Sequence, residues 1–140
     1  MSRNRWLAAA AACGLLATAL ATGTPPAAAD SRVVTVAGSL QSELGCPDDW
    51  QPSCAASQLT DDGDGTYSRT FDLPAGSFEL KVTINGSWDE NYGAGGVANG
   101  ANIPLVIAGP ASLLFEYDDS THLVTVSPTD LDATVTAADQ

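Results

Sequence analysis

Residues 85–96, NGSWDENYGAGG, put a tryptophan, a tyrosine, two asparagines, two carboxylates and several glycines within a dozen positions. The adjacent carboxylates Asp89 and Glu90 raise glycoside hydrolysis first. That chemistry needs two carboxyl groups on opposite sides of a scissile bond, about 5–9 Å apart across a cleft. Neighbours in one short stretch do not meet this requirement. His122 is the single histidine, and no nucleophile elbow of the form GxSxG occurs. The chain is therefore not expected to be an enzyme. A second acidic run, Asp61-Asp62-Gly63-Asp64-Gly65, lacks the twelve-position ligand pattern of a calcium loop. It is expected to be an acidic hairpin turn entering a strand at Thr66, with no metal and no cofactor.

A carbohydrate site suits the same dozen residues better. Sugars present apolar C–H faces that stack on aromatic rings, and hydroxyls that need placed polar partners; rings with a few polar groups are the general form of a small-ligand site. Trp88 is the expected stacking platform, with Tyr92 a second ring or its support. Lys81, Asn85, Asp89 and Asn91 are the candidate polar contacts, and Trp50 a second aromatic contact. Lys81 shares the polar face of its strand with Thr83 and, by the same alternation, Asn85. The residues alone leave an alternative open: Trp88 and Tyr92 fold back to plug one end of the domain, with glycines permitting the turn.

Period-two alternation supplies the elements that would hold such a site. Residues 33–40 put Val34, Val36 and Leu40 on one face, and residues 77–84 alternate Phe78, Leu80, Val82 and Ile84 with polar residues. Further strands are expected at 66–73, 103–108, 112–117 and 122–127. Pro74-Ala75-Gly76 carries the punctuation of a hairpin between the strands at 66–73 and 77–84. No helical stripe competes. The expectation is all-β: an immunoglobulin-like antiparallel β-sandwich of about six to eight strands. Two long connections, 41–65 and 85–102, interrupt the regular spacing and are the places to look for function. Cys46 and Cys54 close the first as a disulfide around Trp50, and that closure contributes roughly 2–3 kcal/mol in the chain-entropy model.

The ends bound the class. Arg3 and Arg5, the apolar run Leu7–Leu20 and Ala27-Ala28-Ala29 read as a signal peptide over residues 1–29, cut before Asp30. Thr18, Thr22 and Gly23 break the run short of the roughly 20 residues of a membrane span. Loss of Arg3 and Arg5 leaves three basic residues against 17 acidic ones, moving the formal charge from −12 to −14. That sign opposes nucleic acid and anionic lipid, and is compatible with a neutral partner. Residues 30–128 form the domain, followed by an acidic tail, 129–140, expected to be an edge strand or disordered. In it Leu131 and Val135 offer edge pairing, with fraying expected beyond about Thr134.

The stretches ELGCPDDWQPSC, FELKVTINGSWDENYG and NGANIPL, in this order, resemble the X25 module of bacterial pullulanases and amylopullulanases. The Trp-Asp-x-Asn-Tyr-Gly signature is also similar to starch-binding domains of SusE-type surface proteins. The likeness runs from about Val33 to about Val126. It implies an immunoglobulin-like sandwich attached to enzymes that cleave α-glucan, with a role in holding the polymer. Tyr67 stands where that pattern usually carries a tryptophan, and Phe78-Glu79-Leu80-Lys81 replaces a more aromatic run, so aromatic surface is lost away from Lys81 and Trp88–Tyr92.

Together these features lead to a secreted, extracellular, non-catalytic module binding α-glucans such as starch, glycogen or pullulan. The alternative is a protein-binding module, either an amylase inhibitor or the docking partner of a secreted pullulanase-type enzyme. An inert spacer domain is the third reading. Nucleic acid and, after signal cleavage, membrane are not expected as partners.

Overall fold

The computed structural model of the chain describes Gly23, residues 32–130 and the backbone of residues 135–137. Apart from Gly23, the expected signal segment lies outside the described residues, as does Leu131. Nine strands are found among those described: β1 (Val34–Gly38), β2 (Thr60–Asp61), β3 (Thr66–Leu73), β4 (Gly76–Ile84), β5 (Ser87–Tyr92), β6 (Ile103–Ile107), β7 (Ala111–Asp118), β8 (Leu123–Pro128) and β9 (Val135–Ala137). They form two sheets. One follows β1-β4-β6-β9 with β5 also paired to β4; the other follows β2-β3-β7-β8. Every pairing is antiparallel, and the fold is the all-β sandwich that the alternation implies.

The core lies between the sheets because the apolar halves of the strands face one another. Val34, Val36, Leu80, Val82, Ile84, Ile103, Leu105 and Ile107 come from the first sheet; Tyr67, Phe71, Leu73, Leu113, Phe115, Tyr117 and Val124 come from the second. Phe71 and Phe115 meet edge to face at 5.3 Å between centroids, a favoured geometry for aromatic pairs.

The connection at Pro74 differs from the expected hairpin. β3 pairs with β2 and β7, whereas β4 pairs with β1, β5 and β6, so Pro74-Ala75 crosses from one sheet to the other. β2 covers only Tyr67 and Ser68 of β3, and β1 only Leu80–Ile84 of β4, so lack of an edge does not force the crossing. Crossing sets the apolar face of β3, with Phe71 and Leu73, against that of β4, with Leu80 and Val82, across one core. The acidic stretch at 61–65 does form a hairpin turn between β2 and β3. In it Asp64 accepts hydrogen bonds from the backbone and hydroxyl of Thr66, which hold its carboxyl below the usual range. The C-terminal segment pairs through β9 against β6, with Ile107 opposite Val135, so backbone pairing extends past the point where fraying was expected.

β4 is the organising strand. Its second half pairs with β1 on one side. On its other side β6 takes the first half and β5 the second, end to end. Tertiary pairing thus makes a strand of the stretch that reads as a loop.

Candidate functional site

Asn85 and Gly86 make the β4–β5 turn with φ of 55° and 69°. Two successive positive φ values are the mark of the two-residue hairpin turn for which Asn-Gly is the preferred pair. Asn85 also binds backward: its N–H donates to the Val33 carbonyl at 2.7 Å and its Oδ1 accepts from the Val33 N–H at 3.0 Å. The side chain is therefore engaged with the turn.

β5 then leaves the regular register. Ile84 faces Ser87 and Thr83 faces Asn91, so Trp88, Asp89 and Glu90 have no opposite residue on β4. This excursion reverses side-chain parity. Trp88 emerges on the outer face with Lys81, and Tyr92, opposite Val82, turns inward. Asn91 stabilises the excursion from beneath. Only 5% exposed, it donates from Nδ2 to the Trp88 carbonyl at 2.8 Å and to Asn99 Oδ1 at 2.9 Å. Buried polar groups need such partners. Asp89 is exposed, with its backbone N–H donating to Ser87 Oγ at 3.1 Å.

Trp88 is 38% exposed. Its neighbour is Trp50, brought from the disulfide loop to a centroid distance of 6.4 Å with the rings inclined at 35°. With Lys81 and Asn102 the two indoles line an open, shallow hollow of about 370 Å³. Asn102 Nδ2 donates to Glu79 Oε2 at 3.2 Å, which orients the amide along the outer face of β4. The hollow has apolar faces flanked by a cation and an amide, a composition able to stack a ring and hydrogen-bond hydroxyls.

The loop that delivers Trp50 is tied down at several points. Cys46 and Cys54 are joined by a disulfide. The Trp50 N–H donates to the Gly38 carbonyl at 3.3 Å, and Thr83 Oγ1 donates to the Pro52 carbonyl at 3.2 Å. This cover explains why every residue of β1 is buried, including the outward Thr35 and Ala37.

Tyr92 belongs to a different assembly. Its ring stacks on His122 at 3.8 Å, nearly parallel, and its hydroxyl donates to Glu90 Oε1 at 2.9 Å. Arg32 bridges Glu90 and Asp119, the latter at 3.1 Å. Burial opposes the Arg32 charge, but Asp119 and Glu90 outweigh it and hold its pKa above the ordinary value. Tyr117, fully buried, lies 2.9 Å from His122 Nδ1 and 3.3 Å from Asp119 Oδ1. Burial first, then Asp119, push its phenol pKa well upward; burial and Glu90 do the same to Tyr92. This knot fastens β5 to the opposite sheet.

Gly93 ends the strand where a close backbone approach leaves no room. A Cβ there would lie 2.1 Å from the Ala101 carbonyl oxygen.

Of the residues singled out from sequence, the structure brings together Trp50, Lys81 and Trp88, with Asp89 next to them in the chain. Asn85, Asn91 and Tyr92 stand apart, for the reasons of turn, excursion and parity given above. Asn102 and Gln41 were missed. Asn102 lies in the NGANIPL stretch noted for its likeness, and Gln41 follows the first strand without any periodic signal.

The family model for the pullulanase X25 domain matches residues 33–124. The chain belongs to this family. Amylopullulanases from Thermoanaerobacterium thermosulfurigenes and Thermoanaerobacterium saccharolyticum are similar, at 40% identity over 95 residues and 39% over 94. Those matches cover 67% and 66% of this chain but 5% and 7% of the relatives, so the X25 domain here corresponds to a small part of large proteins. The pullulanase from Bacillus acidopullulyticus shares the fold, with a TM-score of 0.63 at 23% identity, over 79% of this chain and 15% of that one. The segments 46–54, 81–92 and 102 that build the hollow all fall inside the matched region. No helix among the described residues is long and apolar enough to cross a membrane.

Proposed function

We propose that this X25 domain is a secreted, non-catalytic module that holds neutral α-glucan chains on the Trp50–Trp88 platform. The observation that carries the reading is the exposed Trp88 ring inclined at 35° to Trp50. Two inclined rings suit a ligand that curves, as an α-linked glucan does, better than a flat one. Lys81 donates to sugar hydroxyls and the Asn102 amide can donate or accept, so adjacent hydroxyls find complementary partners. The relatives are amylopullulanases by name, and a module of this kind would keep such a catalyst near its polymer. The order of basic, apolar and small residues across 1–29 supports export.

Two half-exposed rings and a few hydrogen bonds imply weak binding, with a Kd of about 0.1–1 mM, or roughly −4 to −5.5 kcal/mol. Affinity electrophoresis in soluble starch tests it. The wild type should be retarded and Trp88→Ala should migrate as in a starch-free gel. Equal mobility of the two, with or without retardation, removes the platform. Inhibition of an amylase without starch retardation would assign the hollow to protein recognition instead.

A further inference from the structure

Gln41 is a fully buried polar residue beside the disulfide loop. Its amide is saturated. Oε1 accepts from the Gly38 N–H at 3.3 Å and the Gln51 N–H at 2.7 Å; Nε2 donates to the Gln51 carbonyl and to Ser57 Oγ, both at 2.8 Å. One side chain therefore grips both polar backbone groups of a single residue, the one that follows Trp50. Trp50 itself sits at φ 58°, a left-handed conformation that a bulky side chain adopts only when its surroundings impose it. The disulfide does not impose it alone. Trp50 lies midway between Cys46 and Cys54, so the bond fixes the ends of the loop and leaves the apex to other contacts.

We infer that Gln41 is the positioning residue for Trp50: its grip on Gln51 holds the preceding tryptophan in the strained conformation that sets its ring beside Trp88. The consequence for ligand rests on the glucan reading, but the positioning itself belongs to the free protein and is measurable without sugar. Two indoles at this distance couple as excitons and give a signed pair of bands in far-ultraviolet circular dichroism that an isolated indole lacks.

The experiment compares full-length wild type, Trp50→Phe, Gln41→Met, Leu113→Val and Ser57→Ala below their melting temperatures. Trp50→Phe defines the spectrum without coupling. Gln41→Met nearly conserves volume and removes all four hydrogen bonds; it should lose more than about half of the band pair and weaken starch retention about tenfold. Leu113→Val, a core truncation in the other sheet, should lower Tm and leave the bands intact, separating positioning from general stability. Ser57→Ala removes one of the four partners and should give a partial loss, keeping the test informative where Gln41→Met does not fold. An unchanged band pair in folded Gln41→Met, or in Ser57→Ala where the former does not fold, overturns the inference, as does its absence from the wild type. A band pair that depends on Gln41 in a protein that starch does not retard upholds the positioning and removes the glucan reading.

Discussion

Trp88 and Tyr92 sit four residues apart on β5 and do opposite things. Trp88 faces solvent beside Trp50 and Lys81. Tyr92 is wedged among His122, Tyr117 and Glu90, with its ring stacked and its hydroxyl engaged. A regular strand would send both to one face, since four is a multiple of the side-chain period. The three unopposed residues between Ser87 and Asn91 change the parity. One short motif therefore supplies both an exposed surface ring and the fastening that keeps its strand in place. Aromatic content alone does not distinguish these roles; the register does.

The comparison breaks most visibly at Tyr92. Truncation to Tyr92→Ala removes a half-buried ring packed against the core and stacked on His122 and should cost about 3 kcal/mol, the low end of the range for a large aromatic, read from urea or thermal unfolding. Next in size is Asn91→Ala, which strips the Trp88 and Asn99 acceptors of their donor; it should cost about 1–3 kcal/mol. Because the excursion then loosens, Asn91→Ala should also lower starch retention. Trp88→Ala should show the reverse pattern, with a loss of at least about tenfold in binding, near 1.4 kcal/mol, and stability almost unchanged. A Trp88→Ala protein as unstable as Tyr92→Ala would place both rings in the core and dissolve the distinction.

The two ends should also differ in alkali. Tyr92 and Tyr117 both have raised phenol pKa values in the folded protein, from burial and neighbouring carboxylates, against about 10 when unfolded. The unfolded chain therefore releases these protons first. Their stabilising effect is full below about pH 10 and is lost as pH rises through the folded values. Melting temperature should hold steady to about pH 10 and then decline, less steeply in Tyr92→Phe, while Trp88→Ala should decline in parallel with wild type. An equal slope in Tyr92→Phe would remove Tyr92 from this effect.

How far the chain could be read follows the same division. Six strands were legible because each turns alternate apolar residues toward the core, so period two survives in the residues: β4 alternates Phe78, Leu80, Val82 and Ile84 toward the core. β5 was not, because SWDENY buries little in a regular order and its pairing is irregular. The Asn-Gly pair at 85–86 was the available signal for it, a strong hairpin mark that the apparent loop composition obscured. Pro74-Ala75-Gly76 misled in the opposite direction, since a short turn says nothing about whether the next strand stays in its sheet. Lys81 and Trp88 could be brought together by alternation and neighbourhood. Trp50 could be named for its ring but not placed, because its position depends on Gln41, a contact between loop residues with no period to reveal it.

A small change in stability is also expected at Trp50. Replacing a packed tryptophan by a small residue ordinarily costs about 3–5 kcal/mol. Here the ring is half-buried and its backbone is held at φ 58°, a strain of order 1–3 kcal/mol for a residue of this size. Asparagine adopts that region readily, so Trp50→Asn releases the strain while giving up the ring's contact with Trp88. The two effects oppose, and the net loss in chemical unfolding should be below about 1 kcal/mol, with starch retention lost all the same. A residue retained for folding would show the opposite, a large loss of stability. If Trp50→Asn proves as destabilising as Tyr92→Ala, Trp50 belongs with the buried end of the comparison and the platform reduces to Trp88 alone.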